Sequence, residues 1–213
     1  MPEKIDYKKT LKHLYQPSAK EPQIVEVPAM SFLMMDGEGN PNTSPAYQAA
    51  VEALFGVSYA LKFMSKRGMG RDYVVMPLEG LWWGTPKGQH RFSEKDKEQF
   101  IWTMMIMQPD HITTAMVAEA IDTVRQKKGL TDLGSLRLTT FEEGTAVQTL
   151  HMGSYDTEGP TVDRMHQFAH DRGYELRGKH HEIYLSDPRR TQPEKLKTIL
   201  RHPLERASPA IDL

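Results

Sequence analysis

"HHEIYLS", His180 to Ser186, and "PLEGLWW", Pro77 to Trp83, are two apolar runs that each carry one glutamate. Each follows a helical pattern closed by glycine, and that shared placement decides the fold. Upstream of the first-half run stands "AYQAAVEALFGVSYALKFMSKRG", in which Ala50, Leu54, Val57, Leu61 and Met64 recur at spacings of three and four. That is the stripe of a helix packed on a sheet. Ser44-Pro45 supplies an N-cap and a proline at the first helical position, and Lys66, Arg67 and Gly68 supply C-terminal charge and a stop. Upstream of the second run, "PTVDRMHQFAHDRG" opens on Pro160 and closes on Gly173.

Working outward, "QIVEVPAMSFLMMDGEGNPN" reads as strand broken at Pro28 and ended by a Gly/Asn/Pro turn. "QFIWTMMIMQP", after a charged turn near Glu94 to Lys97, is a further strand pairing with "DYVVMPLEGLWWG" as a hairpin. A linking helix covers Ile112 to Lys128, with Ile112, Met116, Ala120 and Val124 on one face. The order then runs again: "SLRLTTFEEGTAVQTLHMGSY" as strand with a Glu-Glu-Gly turn, the second helix, "YELRGKHHEIYLSD" and "KLKTILRHPL" as strands. The expected architecture is α+β, a duplicated β-α-β-β unit whose antiparallel sheets carry helices on one face. Repeat one spans about 23–110, the linking helix about 111–129 and repeat two about 134–206, behind a charged N-terminal segment, 1–22. The opposite face, or the seam between repeats, is left for a ligand.

Net charge is −1, from 27 basic and 28 acidic residues. Such balance gives no electrostatic reason to expect nucleic acid or an anionic membrane as partner. Cysteine is absent, which excludes disulfides, thiolate metal sites and a cysteine nucleophile. The N-terminus has no apolar signal-peptide core, and no run of about 18 apolar residues occurs, so a cytoplasmic protein is expected. Methionine is abundant, 13 residues with Met34-Met35 and Met104-Met105 adjacent. Methionine fills core gaps and also lines sites that adapt to varied apolar ligands.

Alternate side chains of a strand share a face. His180, Glu182 and Tyr184 therefore lie on one side and His181 and Ile183 on the other. In the first half Glu79, Leu81 and Trp83 lie together, with Tyr73 upstream, and Trp82 points away. Glu79 and Glu182 are read as occupying equivalent places. A glutamate inside an apolar run is either paired or protonated at a functional site, or it meets water on an edge strand. A His-His-Glu metal centre is not expected: His181 points away from Glu182, a third ligand must come from His151, His166 or His170, and no HExxH spacing exists. His166 and His170, four apart on a helix, form either a metal clip or a solvated pair. GxSxG, GxxxxGK[ST] and GxGxxG motifs are missing, so serine-nucleophile hydrolase, NTPase and dehydrogenase chemistry are unsupported, and no cofactor is expected.

Trp83, Trp102, Phe100, Tyr73, Tyr184, Phe141 and Tyr155 fall on strands or strand ends, and Phe100, Trp102, Met104 and Ile106 alternate onto one face. They form either ordinary core or an aromatic, Met-cushioned pocket suited to flat or cationic ligands.

"VEVPAMSFLMMDGEGNPN", "LKFMSK", "YVVMPLEGLWW" and "HHEIYLSDPRRTQPEKLKTILRHPL" together resemble the GyrI-like small-molecule-binding proteins, in their stand-alone branch, from Ile24 to Leu204. The resemblance implies two β-α-β-β repeats of SHS2 type related by pseudo-twofold symmetry, with the ligand groove between them. It implies a groove glutamate for cationic or polar aromatic drugs, by position Glu182, with Glu79 as partner from the other repeat. Relatives in which this domain is fused to a helix-turn-helix are regulators; the double repeat here uses up the chain. A subset, the cyclopropanoid cyclopropyl hydrolases, opens the strained ring of DNA-alkylating natural products within an aromatic cage. "LEGLWW" and "FIWTMM" are similar to what such a cage needs. On that footing Trp83, Trp102, Phe100 and Tyr184 sandwich a planar chromophore, with Tyr73, Met104, Phe141 and Tyr155 lining the pocket. Glu182, or Glu79 as second choice, activates water, and Tyr184 donates to the substrate carbonyl. The alternative is a non-catalytic binder that sequesters aromatic, often cationic, compounds.

Overall fold

The computed structural model describes residues 3–83, 100–128, 133 and 135–208. The elements are β1 (Lys4–Ile5), α1 (Tyr7–Thr10), α2 (Lys12–Tyr15), β2 (Gln23–Val27), β3 (Met30–Glu38), α3 (Pro45–Met69), β4 (Asp72–Tyr73) and β5 (Glu79–Trp83). They continue with β6 (Ile101–Gln108), α4 (Thr114–Lys128), β7 (Arg137–Phe141), β8 (Gly144–Met152), α5 (Gly159–His170), β9 (Tyr174–Leu176), β10 (His180–Tyr184) and β11 (Lys197–Arg206). The expected turn at Glu94 to Lys97 lies outside the described residues.

β3-α3-β5-β6 and β8-α5-β10-β11 are the two repeats, and the sheet order β8-β11-β10-β5-β6-β3 is a palindrome of them. Its centre is the antiparallel β5–β10 pair, which is the seam. The first strands close the arrangement. Met30↔Phe141 in the β3–β7 pair and Val27↔Gly144 in the β2–β8 pair keep one register across the bends at Pro28-Ala29 and Glu142-Glu143. Pro28 lacks an amide hydrogen and Gly144 sits at φ 65°, so both bends fall where a regular ladder cannot continue. The sheet's two edges are thus halves of one bent strand pair, and the sheet curls back on itself.

Local chemistry sets the helices. Ser44 caps α3 by accepting from the Tyr47 amide, with Pro45 at the first position. Ala50, Leu54, Val57 and Leu61 are buried along its inner stripe. The helix passes the expected stop at Gly68 and ends at Gly70, whose φ of 66° supplies the left-handed cap. α3 covers Leu33, Met35, Met104 and Ile106, and α5 buries Met165 and Ala169 against Val147, Leu200 and Leu204. Both helices lie on one sheet face, and between them the β5–β10 seam is uncovered.

The sheet's other face meets α2. Leu14 and Tyr15 of the N-terminal segment are buried against that face, beside a charged network. His181 bridges Glu79 (3.0 Å) and Glu143 (2.9 Å), and Arg201 donates to Glu143 (2.9 Å), to the Gln148 side chain (2.8 and 3.0 Å) and to the Leu14 carbonyl (2.8 Å). Burial alone would raise the Glu143 carboxyl, but the His181 and Arg201 charges hold it at about 2. Burial likewise opposes the His181 cation, and the two glutamates overcome it, lifting His181 to about 9. Each charge is paired and hydrogen-bonded, the condition on which buried ions persist.

Candidate functional site

Cross-strand register assigns each side chain to a face. Glu182 sits opposite Gly80, and Glu79 opposite Ile183. Directly opposed residues share a face, so Glu79 and Glu182 point to opposite sides of the sheet. A twofold axis normal to the sheet preserves faces, and the two glutamates are therefore not symmetry partners. Glu79 is fully buried in the back-face network, bonded to Tyr15 (2.9 Å) as well as His181. The expectation that Glu79 serves in the groove is corrected by this register.

The groove floor is Gly80 and Trp82 from β5 with His180, Glu182 and Tyr184 from β10. Its walls include Tyr47 and Phe55 from α3, and Tyr155, Glu158 and His166 from the segment entering and forming α5. Phe100, just before β6, also lines the groove. A relay of hydrogen bonds runs along the floor. Trp82 Nε1 donates to the Tyr184 hydroxyl (2.9 Å), which donates to Glu182 Oε2 (2.8 Å). Glu182 Oε1 lies 3.5 Å from His180 Nε2. Gly80 is required under this relay: a Cβ there would stand 2.6 Å from Trp82 Nε1 and 3.1 Å from the Tyr184 hydroxyl.

Five rings frame the carboxylate. Tyr47 and Trp82 are 6.1 Å apart and tilted by 30°, Trp82 and Phe100 meet at 5.9 Å, and Tyr155 stands edge-on to Tyr184 at 5.7 Å. Burial first, and the Glu182 charge second, raise the Tyr47 and Tyr184 phenols and push Tyr155 to about 12. These hydroxyls are neutral donors over the physiological range. Burial and then the Glu182 charge also raise the Glu158 carboxyl far above the usual range, so it keeps its proton at neutral pH. Glu158 is 7 % exposed, at the N-terminal end of α5. The site holds one protonated acid, one carboxylate and several aromatic faces, a combination that can bind flat or cationic ligands and move protons.

Of the expected site residues, Glu182, Tyr184, Phe100 and Tyr155 meet in this groove. The others stand elsewhere. Trp83 faces the back, with Lys179 Nζ 3.3 Å over its ring. Trp102 and Met104 share the groove's face but lie beneath α3, Trp102 1 % exposed under Tyr47 at 5.4 Å. Tyr73 is buried beside His111, 6.0 Å away, and Phe141 packs edge-on to Phe32 at 6.3 Å. Tyr184 is also reassigned: its proton goes to Glu182 and not to a substrate. Trp82, Tyr47 and Glu158 were missed. Alternation did turn Trp82 away from Glu79; only the register shows that this turns it toward Glu182. Tyr47 sits in the first turn of α3 and Glu158 at the N-cap of α5, and nothing local in the sequence marks them.

The GyrI-like small molecule binding domain model matches residues 20–205. A structure of an uncharacterized conserved protein from Listeria innocua is 42 % identical, with TM-score 0.88 and coverage of 95 % of this chain and 100 % of that one. A hydrolase from the same organism is 42 % identical with TM-score 0.86 and the same coverage. The EcmrR C-terminal domain shares the fold at 14 % identity, with TM-score 0.52 and coverage of 88 % of this chain and 98 % of that one. A comparison with curated proteins finds no significant match. Among the described residues no helix is long and apolar enough to cross a membrane. With two β-α-β-β repeats, a seam groove and a family match over most of its length, the chain belongs to the GyrI-like small-molecule-binding family.

Proposed function

We propose that the groove binds planar aromatic xenobiotics and hydrolyses cyclopropanoid DNA-alkylating compounds by adding water across the strained ring. The observation that carries this reading is the Trp82–Tyr184–Glu182 relay at the centre of the aromatic frame. It fixes one carboxylate by a short hydrogen bond while leaving its side chain 16 % exposed to the groove. The 42 % identity to a Listeria innocua hydrolase supports the hydrolytic step.

In the reaction, the flat chromophore stacks in the groove against the aromatic frame that includes Trp82, Tyr47 and Tyr155. Glu182 takes a proton from a water, whose oxygen bonds to the cyclopropyl carbon. The ring C–C bond breaks, and its electron pair passes into the conjugated carbonyl, which becomes a phenol on gaining a proton. Glu158, which holds its proton, is the donor the groove supplies for that oxygen. General-base assistance of this kind contributes about 10²–10⁴-fold, and relief of ring strain drives the rest.

The second reading is sequestration without turnover; the carboxylate within five rings favours it for cationic aromatics. Incubation of catalytic protein with a cyclopropanoid alkylator, followed by mass spectrometry, separates the two. Ring-opened product in molar excess over protein is expected, and Glu182→Gln is expected to slow its formation by about 10²-fold or more. Product limited to one equivalent sinks the enzymatic reading; full turnover in Glu182→Gln sinks the general-base role.

A further inference from the structure

At the α5 side of the groove, His166 from α5, His180 from β10 and His202 from β11 converge. Each offers one ring nitrogen, and the three nitrogens all lie within 4.8 Å of one another. His180 and His202 are 3 % and 1 % exposed, on adjacent strands one position beyond the His181↔Arg201 pair. The His166 and His202 rings are near-perpendicular at 5.0 Å, and the His180 and His202 rings stand at 5.9 Å. We propose that this triad is a binding site for a divalent transition cation of the zinc, cobalt or nickel class.

Three features support the assignment. Tetrahedral coordination at Zn–N distances of about 2.0–2.1 Å places ligand nitrogens about 3.4 Å apart. The three nitrogens, within 4.8 Å of one another, draw together to that spacing on binding. An all-imidazole donor set suits borderline transition ions and disfavours magnesium and calcium, which take oxygen ligands. The surroundings also fit: Glu182 Oε1 faces His180 Nε2 at 3.5 Å, the carboxylate–histidine pairing that orients a metal-bound imidazole. Coordination through His180 Nδ1 keeps that contact. His166 and His180 line the groove, so the fourth position opens toward the ligand space and places a metal-bound water near Glu182.

The site is tested by metal binding alone, independent of turnover. Chelator-stripped full-length protein is titrated calorimetrically with zinc chloride and, separately, with cobalt chloride followed by visible absorption. One equivalent bound, with the intense bands of tetrahedral cobalt, is expected. His166→Ala, on the half-buried helical position, should weaken zinc binding at least tenfold while its circular dichroism spectrum stays unchanged. His170→Ala, an exposed neighbour with 80 % side-chain exposure, should leave binding unchanged. Absence of binding overturns the proposal. So does binding that survives His166→Ala, or binding lost in His170→Ala, which would indicate adventitious surface imidazoles.

Discussion

Arg201→Met removes one charge from the centre of the back-face network while keeping most of the side-chain volume. Arg201 is fully buried, and its guanidinium is shared among Glu143, Gln148 and the Leu14 carbonyl. Without it, Gln148 Oε1 and the Leu14 carbonyl lose their donors, and Glu143 keeps only His181. Breaking a buried pair in this way costs about 3–5 kcal/mol. For a chain of this length, at about 2–4 °C per kcal/mol, the melting temperature should fall by about 6–20 °C. The pH dependence gives a second signature. Glu143 is held at about 2 against an ordinary 4.5, so its contribution is present above pH 4.5 and lost as pH falls toward 2. At about 1.36 kcal/mol per pH unit, that contribution is about 3 kcal/mol. Removing one of the two cations that depress Glu143 should make the acid-side loss shallower in the variant. Urea denaturation between pH 2 and pH 7 measures both quantities. A buried ion pair replaced as a whole is less harmful than one broken, so Glu143→Gln combined with Arg201→Met should recover part of the loss. A single variant melting within about 2 °C of the wild type, or a strictly additive double variant, refutes the view that these charges depend on each other.

Further outcomes follow from the groove. Glu158→Gln removes an acid that stays protonated when folded but ionises near 4.5 when unfolded. The wild type therefore binds more protons folded than unfolded as pH rises above 4.5, and its stability declines there; the variant's curve should be flatter, gaining up to about 3 kcal/mol at pH 7. Denaturation midpoints at pH 5 and pH 8 check this, and identical slopes for both proteins contradict it. Tyr184→Phe deletes the hydroxyl between Trp82 and Glu182; the loss of a hydrogen bond to a charged group, about 1.5–3 kcal/mol, should slow turnover by about 10–100-fold. Unchanged steady-state kinetics would remove the relay from the mechanism. Gly37→Ala places a Cβ 2.1 Å from Trp102, whose ring is 1 % exposed, and should cost about 3 kcal/mol in a denaturant titration; an unchanged midpoint would show that the ring can shift.

The duplicated β-α-β-β order was legible because its signals are local: the Ser44-Pro45 cap, the Ala50–Leu61 stripe and the alternation within "HHEIYLS". Alternation even sorted each strand's residues correctly into two sets, Glu79 with Trp83 and His180 with Glu182 and Tyr184. What a strand cannot state is which of its two sets faces which set of its neighbour. That depends on register, and a shift of one residue exchanges faces. The offset that aligns Glu79 with Glu182 is wrong by one, and with it Trp83 displaced Trp82 in the expected cage. His202 was invisible as a site residue for a related reason: its neighbours His166 and His180 come from two other elements.

The one-residue difference also separates the two glutamates' duties. Glu79 is enclosed with no access to solvent, held by Tyr15 from the N-terminal segment and by His181 from the neighbouring strand β10. Glu182 has one oxygen fixed by Tyr184 and the other near His180, facing a cleft wide enough for an aromatic ligand. A carboxylate closed off from solvent can stabilise a fold but cannot meet a substrate, whereas Glu182, with its side chain 16 % exposed, can do both. The seam at β5–β10 places these two conditions back to back across a single sheet, so that charges ordering the back face support the strand on which the groove carboxylate is mounted.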